Sequence, residues 1–382
     1  MARILYLTQI DLEHGAVRLL KTECERIGIK RPLVVTDAGV RAAGVLQPAL
    51  DALQGLPHAV FDATPSNPTE AAVRAAVQLL RQHGCDGLIA VGGGSSIDLA
   101  KGVAIAATHE GALKTYATIE GGSALISERV LPLIAVPTTA GTGSEVARGA
   151  IVIVDDGRKL GFHSWHLMPK AALLDPELTL GMPAWLTAAT GMDAIAHCME
   201  TFMAAAVNPP ADGIALDGLA RGWAHIEAAT RDGQDRNARW QMMSASMQGA
   251  MAFQKGLGCV HSLSHSLGGA NPRLHHGTLN AVFLPAVLRF NAAAASVQAE
   301  NRLQRMAVAM GLPSGDNPGE QLAAAVQAMN TRLGLPGGLR EMGVDEGVFD
   351  RVIDGAMADH CHKTNPRLAT RDDYWKMLAD SM

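Results

Sequence analysis

The chain has 382 residues, 48% of them hydrophobic and 18% charged, with a net charge of −5. That length exceeds what one hydrophobic core usually organises, so two domains are expected, and the composition excludes a disordered chain. With no basic patch on an acidic background, nucleic acid and anionic membranes are poor partners. The start, MARILYLTQIDLEHG, runs into acidic residues without the long apolar core of a leader. The most apolar stretch, Val130 to Val136, is broken by Pro132 and is too short to span a bilayer. Five scattered cysteines (Cys24, Cys85, Cys198, Cys259 and Cys361) lack CxxC spacing and read as reduced core thiols of a cytoplasmic protein.

In chain order, RPLVV (31–35) and GLIAV (87–91) are apolar bursts that end in turn-formers, the pattern of buried parallel strands. Between them, Pro68 and Thr69 open a helical pattern that Gly84 stops. LPLIAV then enters PTTAGTGSE, and IVIV (151–154) follows as a further strand. This is an open, mostly parallel α/β domain of the doubly wound kind. Near Asp175 the texture changes. After DPELTLGMP, long Ala/Met/Leu-rich segments take over, among them 184–206, 212–229 and 241–253. An α/β domain over 1–180 and an all-α helical domain over 181–382 are therefore expected, with NPP (208–210) and TRDGQDRN as surface turns.

Two loops carry a nucleotide signature. VGGGSSIDLAKG lies where a strand hands over to a helix; its glycines let the backbone approach an anion, and the helix N–H groups favour phosphate. It is neither GxGxxG nor a P-loop, and alone it reads rather as a tight structural turn. PTTAGTGSE offers Thr138, Thr139, Thr142 and Ser144 after another strand, which suits a pyrophosphate and ribose at the end of an open sheet. Asp37, just after RPLVVT, is placed either for an adenosine ribose or as a helix N-cap.

The helical half carries a metal signature. Asp193 and His197 stand one helical turn apart, as do His261 and His265, and His275 and His276 follow as a doublet. One carboxylate and three imidazoles suit Zn²⁺ or Fe²⁺. A single i,i+4 polar pair is more often a solvated helix face, but two pairs and a doublet in one half of the chain are harder to dismiss, and spacing alone leaves the two readings level.

Together, GGGSSIDLAKG, PTTAGTGSEV, DPELTLGMP with TGMDAIAHCMET, GCVHSLSHSLGG, HHGTLNAVFLP and TNPR (364–367) resemble the iron-containing, group III alcohol dehydrogenases over nearly the whole chain. The resemblance implies a dehydroquinate synthase-like fold, with an NAD(P)-binding domain, a helical domain, a metal in the cleft between them and a homodimer. It implies Asp193, His197 and His261 as metal ligands with a fourth from the doublet: HGTLNA selects His276, whereas counting from His261 selects His275. It places Gly92, Gly93, Gly94, Ser95 and Asp98 at the pyrophosphate. Thr138, Thr139, Thr142, Ser144 and Lys159 fall around ribose and nicotinamide, and Asp37 where acidity favours NAD over NADP. His265 falls near nicotinamide and substrate, where it is expected to relay the alcohol proton. The implied reaction is Lewis-acid-assisted hydride transfer between a small alcohol and nicotinamide.

AFQKGLG and HCHKTNPR depart from the family pattern. Lys255, beside Phe253, and Lys363 add cations that would favour a hydroxy acid such as 4-hydroxybutyrate over a simple alcohol, or else face solvent. Two other enzymes share the resemblance: a metal-independent, maleylacetate-type oxo-acid reductase, and an NAD- and metal-dependent lyase or cyclase. The intact ligand set speaks against the first, and the PTTAGTGSE loop against the second.

Overall fold

The structure, a computed structural model, describes Ile4 and residues 8–313 and 315–382. Residues 1–3 and 5–7, in the stretch judged above to lack a leader core, lie outside the described residues. The chain divides into two compact units, one ending at Gly181 and the other comprising Met182–Met382.

The first unit is built on a six-stranded parallel sheet of β1 (Gln9–Leu12), β2 (Pro32–Val35), β3 (Ala59–Phe61), β4 (Gly87–Gly92), β5 (Leu133–Pro137) and β8 (Ala171–Leu174), in the order β1-β8-β5-β4-β2-β3. Its inner strands are apolar throughout because both faces are covered. Leu33, Val35, Leu88, Ala90, Leu133 and Ala135 enter one core, and Val34, Ile89, Val91, Ile134 and Val136 the other. Pro32 sits at the first position of its strand, where a missing N–H is tolerated. Helix Glu70–His83 is capped by Thr69, whose Oγ1 accepts from Ala72 N at 3.2 Å, and is stopped by Gly84. The IVIV run departs from expectation. It lies in β6 (Gly149–Ile153), which pairs antiparallel with β7 (Lys159–His163) as a separate two-stranded ribbon. The alternating burial of these strands shows one face packed and one open.

Strand order reverses direction between β2 and β4, since the chain leaves β2 for the edge strand β3 and returns on the other side of β2. In open parallel sheets, ligands bind outside the carboxyl ends of strands at such a switch point. Asp37 follows β2 and the glycine loop follows β4, so both lie there.

The second unit is helical. Helix Ala184–Met203 is buried on nearly every side from Thr187 onward, and it packs against helices Pro209–Arg231, Arg236–Met251 and His276–Asn291. The turn expected at TRDGQDRN joins helices Pro209–Arg231 and Arg236–Met251, whereas NPP is itself a helix start. Asn208 accepts from Ala211 N at 3.3 Å with Pro209 in the first turn, and Asp235 accepts from Ala238 N at 2.9 Å.

Candidate metal centre and cofactor loops

Helix Ala184–Met203 carries Asp193 and His197 on one face, helix Cys259–Ala270 carries His261 and His265, and helix His276–Asn291 opens with His276. Asp193 Oδ1 lies 3.5 Å from His197 Nε2, 3.7 Å from His261 Nε2 and 3.7 Å from His276 Nε2. Four ligands about 2.1 Å from a tetrahedral ion stand roughly 3.4 Å from one another, so these separations fit an ion of zinc or iron size.

Asn280, one turn after His276, supplies a second test of fit. Its Nδ2 is 2.7 Å from Asp193 Oδ1, 3.2 Å from His261 Nε2 and 3.1 Å from His276 Nε2. An amide nitrogen has two hydrogens, one too few for three acceptors, and Asn280 Oδ1 is itself buried without a hydrogen-bond partner among the described residues. A divalent cation satisfies this donor set where the protein alone does not.

The surrounding groups hold the imidazoles in place. Glu200, one further turn along from His197, lies with Oε2 2.5 Å from His261 Nδ1, which directs the His261 Nε2 lone pair inward. Its Oε1 accepts from Val260 N at 2.8 Å, and Asn365 of TNPR accepts from Cys259 N at 3.1 Å, so two side chains cap the helix that presents His261. Gly277 makes room: a Cβ there would stand 2.2 Å from Ala189 O, so only glycine lets the His276 helix approach this closely. Burial opposes charge on Asp193, yet the imidazoles of His197, His261 and His276 hold its carboxyl far below the usual carboxylate range. Burial likewise opposes charge on His261, and Glu200 and Asp193 outweigh it, raising its pKa.

Phe253 packs edge-on against His197, with ring centroids 4.8 Å apart. His265 stacks on His276 at 5.4 Å and gives its Nδ1 to Asp359 Oδ2 at 3.0 Å. His275 stands apart as the N-cap residue of the helix, its Nδ1 buried without a hydrogen-bond partner among the described residues. Lys255 is not available for a substrate carboxylate. Its side chain is fully buried, and its Nζ pairs with Asp212 and donates to Phe202 O at 3.1 Å. Lys363 is exposed.

In the first unit, helix Gly94–Ala106 begins at the glycine loop with Gly93 as an N-cap that has no side chain to satisfy the free N–H groups. A Cβ on Gly94 would lie 2.7 Å from Thr142, and one on Gly93 would be 3.4 Å from Thr139, so the two loops pack against each other. Thr138 N donates to Gly92 O at 3.0 Å. Ser95 Oγ donates to Ser66 O at 2.5 Å. Asp37 caps its helix, with Oδ1 accepting from Val40 N at 2.9 Å, while Oδ2 takes Ser96 Oγ at 3.4 Å. The capping role weighed for it is the one the structure displays.

Asp98 and Ser144 are committed to the protein rather than directed to a phosphate or ribose. Ser144 Oγ donates to Asp98 Oδ1 at 2.6 Å, and Ile151 N to Asp98 Oδ2 at 2.9 Å. Buried Lys101 completes the knot by donating to Ser144 O at 2.7 Å, Ala147 O at 2.8 Å and Gly149 O at 2.7 Å. Lys159 Nζ donates to Asn67 Oδ1 at 3.0 Å. The sequence reading missed Glu200, Asn280, Lys101 and Asp359. The first three repeat at helical spacing from residues it had singled out (Glu200 after Asp193 and His197, Asn280 after His276, Lys101 after Asp98), whereas Asp359 gives no local signal.

A Glu200→Gln variant should keep the fold and lose about 10–100-fold in metal affinity. Competition with a chelator of known affinity measures this, and an unchanged affinity would remove Glu200 from the orienting role.

The family described as iron-containing alcohol dehydrogenase matches residues 8–176, and its C-terminal counterpart, described as the Fe-containing alcohol dehydrogenase family, C-terminal, matches 187–382. Among relatives, the chain is 71% identical to a 4-hydroxybutyrate dehydrogenase of Cupriavidus necator, with 100% of each chain covered. The solved structure of a 1,3-propanediol oxidoreductase superposes with a TM-score of 0.92 at 33% identity, covering 100% of both chains. That of sulfoacetaldehyde reductase from Bifidobacterium kashiwanohense in complex with NAD⁺ gives 0.89 at 26% identity, covering 100% of this chain and 98% of the other.

Proposed function

The chain belongs to the iron-containing alcohol dehydrogenase family, and we propose that, as an NAD-linked dehydrogenase of alcohols and hydroxy acids, it acts on 4-hydroxybutyrate, interconverting it with succinate semialdehyde. The observation that carries the substrate is the 71% identity over the full length of both chains with a 4-hydroxybutyrate dehydrogenase.

Asp193, His197, His261 and His276 would hold a divalent metal, and the set accepts Fe²⁺ or Zn²⁺. When bound, that ion supplies Lewis acidity that lowers the pKa of the alcohol hydroxyl. Glu200 keeps His261 in the tautomer that presents Nε2, and Phe253 walls His197 with an apolar ring. His265, steadied at Nδ1 by Asp359, has its Nε2 left to accept the hydroxyl proton. Gly92 to Ser95, Thr138, Thr139 and Thr142 cradle the dinucleotide. Asp37 favours NAD, because a 2′-phosphate there would meet like charge. The five buried free cysteines suit a reducing cytoplasm.

The test is metal content of protein purified without added metal, together with NADH formation from 4-hydroxybutyrate, 1-butanol and 1,3-propanediol. About one iron or zinc per chain, chelator-sensitive turnover and the highest kcat/KM on 4-hydroxybutyrate are expected. Metal-free protein that reduces an oxo acid with NADH would overturn the reading in favour of the metal-independent reductase.

A further inference from the structure

Among the described residues, two groups of side chains bring three metal-ligating atoms within 4.8 Å of one another. The first is Asp193, His197 and His261, the centre already described. The second is His265, Asp359 and Cys361, of which the proposed reaction leaves Cys361 unused. Local structure assembles it. Asp359 caps the short turn His360–Thr364, with Oδ1 accepting from Cys361 N at 2.8 Å, so the chain folds Cys361 back towards that carboxylate. His265 arrives from helix Cys259–Ala270 with its Nδ1 3.0 Å from Asp359 Oδ2. The side chains of His265 and Asp359 are 16% and 15% exposed, so an ion from solvent reaches them without unfolding, while Cys361 closes the group from the buried side.

We propose that His265, Asp359 and Cys361 form a second, inhibitory site for a thiophilic divalent cation such as Zn²⁺ or Cd²⁺. The donor set supports this class of ion. One sulfur, one nitrogen and one oxygen suit zinc or cadmium over magnesium or calcium, and the fourth position is left to water. Charge supports it as well, because a carboxylate and a thiolate together neutralise a divalent ion in a largely buried place. A tetrahedral ion holds sulfur at about 2.3 Å and nitrogen or oxygen at about 2.1 Å, which sets these donors roughly 3.6 Å apart. Side-chain rotation that closes the widest present separation by about 1 Å therefore forms the site. As the sulfur–metal bond forms, the Cys361 thiol proton leaves to solvent. Inhibition follows from the His265 tautomer, and this part rests on the relay role proposed above. Without the second ion, Nδ1–H is given to Asp359 and the Nε2 lone pair accepts the alcohol proton. With the ion on Nδ1, the ring proton moves to Nε2, which then has no lone pair for another.

Titration of Cd²⁺ into the enzyme already loaded with Zn²⁺ tests the proposal. Uptake is read by equilibrium dialysis and by the ultraviolet absorption of a thiolate–Cd²⁺ bond, which the sulfur-free first site does not produce. Wild type should gain about one further ion per chain together with that absorption, and NADH formation should fall in step with it. Cys361→Ser and Cys361→Ala should show neither the absorption nor the inhibition, and should keep the turnover of enzyme without added Cd²⁺. No absorption in wild type, or absorption that persists in both variants, overturns the site. Absorption and uptake with undiminished turnover overturn its inhibitory role. If the Cys361 variants fail to fold, Asp359→Asn, which keeps the thiol, decides. Its second uptake should weaken by at least about tenfold, the loss that even an outer partner of a metal ligand causes, and an unchanged affinity overturns the proposal. Protein that takes up no zinc at its first site overturns the function proposed above instead, and the thiolate absorption then still tests the second site by itself.

Discussion

Replacing Asp193 by asparagine will lower turnover on the order of a thousandfold or more and leave the purified protein nearly metal-free. Asparagine has the same shape, so the packing of helix Ala184–Met203, where Asp193 is 2% exposed, is preserved. What is lost is the only anionic donor among the four converging groups. The three remaining imidazoles are neutral when their lone pairs face a metal, so the cation loses its direct charge compensation in a dry site. The low pKa of Asp193 means that the wild-type carboxylate is ionised at any working pH, so the site needs no proton release from this residue before it accepts an ion. Metal analysis, kcat and NADH binding on the same preparation separate the outcomes. NADH binding should persist because the loops proposed to cradle the dinucleotide belong to the other unit of the chain. A variant that keeps both its metal and turnover within tenfold of wild type would remove Asp193 from the ligand set.

Much of this site was legible because helices repeat. Asp193 with His197, and His261 with His265, announced themselves through one-turn spacing. The same rule, carried one turn further, reaches Glu200 and Asn280. The choice within the doublet was not legible from spacing. Geometry separates the pair: His276 is the first helical residue and its Nε2 reaches Asp193, whereas His275 remains outside as N-cap. Gly277 explains why HG occurs together, since the glycine permits the approach that brings His276 in.

Contacts across long separations left no trace in the sequence. Asp359 meets His265 from 94 residues away, and no local pattern points to it. Asp98 and Ser144 sit inside nucleotide-like motifs, yet their side chains bind each other and the backbone of β6, so they brace the loops from behind. The ribbon illustrates a further limit. IVIV has the composition of a buried parallel strand, and only its pairing partner KLGFH, which follows it in the chain, reveals an antiparallel excursion from the sheet.

Lys255 is the most instructive misplacement, and it leads to a stability prediction. Asp212 Oδ1 is shared by Lys255 and by Arg302 Nη1, the latter at 3.0 Å, and Phe202 O accepts from both cations. Arg302 Nη2 also meets Glu300 at 2.7 Å, but that carboxylate is 49% exposed and screened. Asp212 is therefore the buried anion that lets two buried cations coexist. Asp212→Ala should cost about 3–5 kcal/mol, because it strands Lys255 and Arg302 away from water. Lys255→Met should cost much less, since it leaves one cation with both carboxylates and fills the same apolar volume. In the double variant Lys255 is no longer stranded, so its loss of stability should be smaller than the sum of the two single losses. Urea denaturation of the three proteins gives these differences directly. Equal losses for the two single variants would contradict the shared-anion reading, and a Lys255→Met enzyme that kept its stability but lost its preference for the hydroxy acid would return this lysine to the substrate.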